Sequence, residues 1–149
     1  MKIINKALAL CIMVCFCFHA NAQNKTSTKP SLFSGAPTTI QAAVPELNKA
    51  FLAKVGGAVQ LNLSNNFTFS GTILSSVQRY SNLASIIIKS ASLHNSILAL
   101  SKRTNDDNSI TYVGRIVNDG YADGYELKQS INGNYTFNKI RSEDILQDY

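Results

Sequence analysis

The sequence predicts a mainly β, α+β fold: one N-terminal helix followed by an antiparallel meander of about six or seven strands, closed into a small barrel or laid out as a curved sheet. Three observations predict it. Apolar residues recur at helical spacing from Ile40 to Val55 and stop at Gly56-Gly57. Beyond Gly57 the apolar pattern alternates residue by residue, as half-buried strands do. Turn signals rich in Asn, Ser and Gly separate the alternating segments, with centres 12 to 16 residues apart. That spacing suits successive hairpins and leaves no room for crossover helices.

The chain begins with a segment read as a signal peptide, residues 1–22. Lys2 and Lys6 precede the apolar run Ala7–Phe18, and Ala20-Asn21-Ala22 is a small-x-small cleavage site. The twelve-residue run is short of the roughly 20 apolar residues that a membrane span needs. Export to the periplasm or the medium, with cleavage after Ala22, is therefore expected. Cys11, Cys15 and Cys17 leave with this segment, and none follows the small residue that lipid attachment requires. A cysteine-free exported domain has to be held by its core.

Residues 23–37, "QNKTSTKPSLFSGAP", read as a flexible spacer, in which Leu32 and Phe33 stand out as able to dock on the domain. The remaining residues, 38–149, form a single helix-plus-meander domain. Thr38 and Gln41 have capping-box form, and Ile40, Val44, Leu47, Phe51 and Val55 mark one helical face. Pro45 is tolerated only in a first turn, so the helix is expected from about 45 to 55 after a loose turn. Val59, Leu61 and Leu63 then define a strand. The Ser64-Asn65-Asn66 connection leads to a second, with Phe67, Phe69, Gly71, Ile73 and Val77 on one face. "NLASIIIKS", with Ile86-Ile87-Ile88 expected to be buried on both faces, is the third. "SILALSK", "SITYVGRIV", "GYELKQ" and "NYTFNKI" complete the meander, and Ser142 to Gln147 reads as a terminal helical piece.

Removing residues 1–22 lowers the net charge from +5 to +3, but its distribution is uneven. Gln23 to Thr104 carries eight basic residues and one acid, Glu46, while Asn105 to Tyr149 carries four basic and eight acidic. Such asymmetry can steer an anionic partner or favour head-to-tail contacts, and ordinary solvated surfaces also produce it.

Few catalytic chemistries are on offer. His94 is the one histidine after the signal, in the turn "SLHN", and zinc sites need three or four His, Cys or carboxylate ligands. No nucleophile elbow, phosphate loop, dinucleotide fingerprint or CxxC occurs. The carboxylates Asp106, Asp107, Asp119, Asp123 and Glu126 lie in or beside turns, so no catalytic residue, metal ligand or cofactor is assigned. The stretch "NDGYADGYE", Asn118–Glu126, is dense enough in acids to suggest a cation loop. If a strand begins at Asp123, however, Asp123 and Glu126 project to opposite faces, and Asn118-Asp119-Gly120 reads as a tight hairpin turn with Gly120 free to take positive φ. The sequons at Asn24, Asn62, Asn66 and Asn134 matter only in a eukaryotic secretory pathway.

Leu47 to Lys89, with its helix, V-x-L-x-L strand, Asn turn and aromatic-x-Gly strand, resembles the first half of Sm-like RNA-binding small barrels. That family's acidic residue after the Gly-containing strand is missing at Ser75-Ser76-Val77. The resemblance implies small-barrel geometry and, as one reading of function, nucleic-acid binding. The ending "ANAQ" of the signal and the Asn/Tyr/Ile-rich meander are similar to uncharacterised exported proteins of Bacteroidota. The helix-plus-meander outline also resembles cystatin-like and PepSY-like domains, which implies an inhibitor or propeptide acting on an exported protease. The leading expectation is a non-enzymatic exported module that contacts another exported protein or a surface glycan, through sheet edges or Tyr-bearing loops. Tyr112, Tyr121, Tyr125 and Tyr135 are its candidate partner-binding residues; tyrosines at that density suit a binding face and equally fill a core.

Overall fold

The computed structural model describes residues 29–141; the segment read as a signal peptide, the start of the expected spacer and the expected helical piece Ser142–Gln147 lie outside the described residues. The elements follow in the order β1 (Thr39–Ala42), α1 (Val44–Leu52), β2 (Ala58–Ser64), β3 (Phe67–Tyr80), β4 (Leu83–Ser90), β5 (Ser96–Thr104), β6 (Ile110–Val117), β7 (Asp123–Gln129) and β8 (Tyr135–Arg141). All eight strands form one antiparallel sheet, β1-β8-β7-β6-β5-β4-β3-β2. The edge strands β1 and β2 approach one another, so the sheet curls into a nearly closed barrel.

Seven strands lie where the alternation and turns place them, but β1 corrects the expected count. Residues 39–42 pair with β8 in register, Ile40 opposite Phe137 and Ala42 opposite Tyr135, instead of forming a turn before the helix. Thr38 is consequently not a cap: the N-cap is Ala43, which has no side-chain capping bond, and Pro45 sits in the first turn. The helix ends at Leu52, three residues before the expected Val55. Ile40 and Leu47 both face the core from different elements, so their helical spacing arises from a strand and a helix set end to end.

Two strands depart from the expected burial. Ile86 and Ile88 are buried, but Ile87 between them is exposed, because only the inner face of β4 is covered. In β3 the register shifts between Ile73, opposite Ile88, and Ser75, opposite Ile87. The extra residue, Leu74, is a β-bulge that exchanges the two faces beyond it. Val77 therefore pairs with Ser85 on the outer face and is 43% exposed instead of continuing the inner row. Gly71 has a packing reason: an added Cβ would lie 2.4 Å from the Lys89 carbonyl oxygen of β4.

The interior is filled from every strand, by residues such as Leu61, Phe69, Ile88, Leu98, Ile116 and Phe137, all fully buried. Each such side chain contributes about 1.5–3 kcal/mol of burial, which is how the domain stands without a disulfide. Both ends of the barrel are covered. Leu47 and Ala50 of α1 close the end where β8 begins, and Glu46 accepts the Asn62 N–H (2.8 Å), covering part of the β2 edge at the seam. The opposite end is closed by a strap, residues 29–37, the described part of the expected spacer. Leu32 and Phe33 do dock, and the neighbouring residues come with them. Phe33 is only 3% exposed and lies edge-on to Tyr125 with ring centroids 5.0 Å apart.

Candidate functional site

Near one end of the barrel β3 outruns its neighbour β2. β2 pairs with β3 from Phe67 to Thr72, and the loop before β2 extends the ladder one residue, with Gly56 N–H donating to Ile73 O and Ile73 N–H donating to Gly57 O. On its other side β3 stays paired with β4 as far as Tyr80. From Leu74 to Tyr80, then, β3 has a strand neighbour on one side only. Exposed apolar side chains lie along it: Leu74, Val77 and Tyr80 on the strand, with Leu52 at the end of α1 and Val55 in the loop that follows, Tyr80 being 70% and Leu52 83% exposed.

Between this edge and the last turn of α1 lies an open groove of about 600 Å³. Phe51 and Leu52 form one wall, Ser76 to Gln78 the other, and Lys102 and Thr104 of β5 complete it. Lys102 is half-buried. Its Nζ donates to Asn48 Oδ1 (3.0 Å), the same oxygen that accepts from the Tyr112 hydroxyl (2.7 Å), so α1, β5 and β6 are tied together beside the groove. Among the described residues no carboxylate pairs with Lys102, and none lines the groove. The site is a strand edge without a strand partner from Leu74 onward, with the Tyr80 carbonyl taken by the Gln78 side-chain amide, a mixed apolar and hydroxyl surface and a single cation. Its chemistry is suited to holding an extended chain.

Comparison with protein-family models, curated proteins and solved structures finds no match to this chain. The functional reading therefore rests on the geometry of the chain itself.

Of the four tyrosines singled out from the sequence, Tyr112, Tyr125 and Tyr135 are buried in the core. The Tyr135 hydroxyl accepts the Tyr112 backbone N–H (3.1 Å), and the two rings meet edge-on at 5.5 Å. The Tyr125 hydroxyl donates to the Pro37 carbonyl (2.5 Å). None of the three offers a ring face to a partner. Tyr121 alone is partly exposed, edge-on to His94 at 5.8 Å in the turns of the strap-covered end. His94 and Asn95 take positive φ there, which identifies His94 as a turn residue.

Burial, and secondly the charge of Asp123, push the Tyr125 phenol up to about 12. Because the folded value is raised, its contribution to stability is complete below the ordinary phenol value of 10 and is lost as pH rises through about 12. Tyr125→Phe is expected to flatten the alkaline stability loss over that interval. At neutral pH it should cost about 1 kcal/mol, through the lost bond to Pro37. Urea midpoints across the interval check this, and a wild-type midpoint independent of pH there would contradict it. Tyr112, also raised by burial and then by Tyr135, leaves some slope in the variant.

In "NDGYADGYE" the structure separates the acids. The connection from Asn118 to Ala122 is longer than a tight hairpin turn. Gly120 does not take positive φ; instead the Asn118 side-chain oxygen accepts the Gly120 N–H (2.9 Å), an Asx turn. Asp123 opens β7 facing inward, 6% exposed, and accepts from the Ser31 hydroxyl, the Leu32 N–H (2.7 Å) and the Phe33 N–H (2.9 Å). Sequence alone did not reveal this role, because its partners lie about 90 residues away. Lys139 completes the fastening, donating to the Phe33 and Ala36 carbonyls (2.6 and 2.8 Å).

Glu126 points outward, paired with Arg115 (2.9 Å) and Lys128 (3.0 Å) in a shallow depression of about 460 Å³. The hydrogen bond from Arg115, followed by that from Lys128, holds its carboxyl below the usual range. A carboxylate so held is poorly matched to proton transfer near neutrality. Asp107 is likewise lowered, by the Ser109 hydroxyl bond first, which makes it part of a turn. Among the described residues no three His, Cys, Asp or Glu side chains converge as metal ligands, and no helix is long and apolar enough to cross a membrane.

Proposed function

We propose that this protein is an exported, non-enzymatic interaction module that receives an extended segment of another exported protein on the free edge of β3. The observation that carries this reading is the unpaired edge from Leu74 to Tyr80 with exposed apolar residues beside an open groove. Folded proteins commonly cover, charge or shorten such edges, as Glu46 does in part for β2 at Asn62. An added strand would use the open backbone groups for affinity and the groove for side-chain selection.

Proline scanning tests the proposal. Ser76 and Val77 are adjacent in a regular stretch of the β3–β4 ladder, so their N–H groups point to opposite sides. At the position whose N–H faces β4, proline is expected to destabilise the fold. At the other position it should leave the melting temperature nearly unchanged and abolish retention of the partner from culture supernatant or periplasm. Retention by both folded variants, or no retained exported protein with the wild type, would sink the reading.

A further inference from the structure

We infer that the segment accepted at the β3 edge is acidic, and that Lys102 receives one of its carboxylates. This rests on the strand-addition reading above and specifies the partner's chemistry. Three observations support it. Lys102 is the one charged side chain lining the groove. Its ammonium group has three N–H donors, and its recorded bond is to the neutral Asn48 oxygen. That oxygen also takes the Tyr112 hydroxyl, so the amide holds Lys102 in position without neutralising it.

The surroundings reinforce the sign. β3 to β5 carry Arg79, Lys89, Lys102 and Arg103 and no acid. The nearest acid in sequence on the helical side, Glu46, is engaged by the Asn62 N–H and by Lys49 (3.8 Å). A neutral or basic strand would leave the Lys102 ammonium without a counter-charge as the groove closes over it, whereas an acidic side chain would meet it. The strand supplies affinity through its backbone, and Lys102 supplies selection among strands.

The test uses three labelled peptides with alternating valine and a second residue, which is Glu, Ser or Lys. Binding is followed by fluorescence anisotropy and by amide chemical shifts of the protein. The Glu peptide is expected to bind most tightly, shifting amides from Leu74 to Tyr80. Lys102→Met should weaken it about three- to ten-fold, the range of a partly screened ion pair, while leaving the Ser peptide unchanged. Equal binding of all three peptides at the edge, or indifference to Lys102→Met, would overturn the inference and leave strand addition standing. If none of the peptides shifts the amides from Leu74 to Tyr80, or if the peptides displace a second copy of the chain from that edge, both fall. A melting scan of Lys102→Met confirms that the variant is folded.

Discussion

Replacing Phe33 by alanine is expected to destabilise the domain by about 3–5 kcal/mol, although Phe33 lies in a segment that reads as a spacer. The ring is as buried as the strand residues around it and packs against both Tyr125 and Phe67, with centroids 5.0 and 6.4 Å away. Its removal leaves a cavity at the end of the barrel and withdraws the main apolar anchor of residues 29–37. Chemical denaturation measures the effect. A loss below about 1 kcal/mol would mean that the strap is peripheral and the barrel closes without it.

Asp123→Ala is expected to cost nearly as much, about 3 kcal/mol, by a different route. The carboxylate accepts three donors in a buried position, and alanine leaves the Leu32 and Phe33 N–H groups with no acceptor while the strap stays docked. Both substitutions loosen the hold on the same segment, so the double variant should lose less than the sum of the two, with a coupling of at least about 1 kcal/mol. Limited proteolysis supplies a second readout, because cleavage between Ser31 and Pro37 should precede cleavage within the strands in either variant. Additive losses, or unchanged protection of the strap, would contradict the fastening described here.

The β3 edge and the strap differ in how far sequence could reveal them. Strands β2 to β8 were legible because one face of each meets a continuous core and the other meets solvent. Alternation records that arrangement directly. β1 was hidden because it is four residues long and the larger of its two inward residues, Ile40, falls seven residues before the inward Leu47 of α1. The bulge at Leu74 carries no sequence signature of its own, so alternation alone places Val77 in the inner row. The tyrosines were visible as a cluster, but their burial depends on strand pairings between β6, β7 and β8 that composition does not specify. The role of Asp123 depends on a contact with the far end of the chain. Of the candidate site, the sequence suggests a sheet edge as a means of contact, but which edge depends on β3 outrunning β2, a difference in strand length read only from the folded register.

Residue-resolved amide hydrogen exchange of the free chain tests the central claim most directly. If β3 is open from Leu74 to Tyr80, roughly alternate amides in that stretch, those pointing away from β4, should exchange rapidly, while amides in β4 and β5 exchange near the global unfolding limit. Protection throughout Leu74–Tyr80 equal to that of β5 would show that the edge is already covered, and would remove the site on which the proposed function rests.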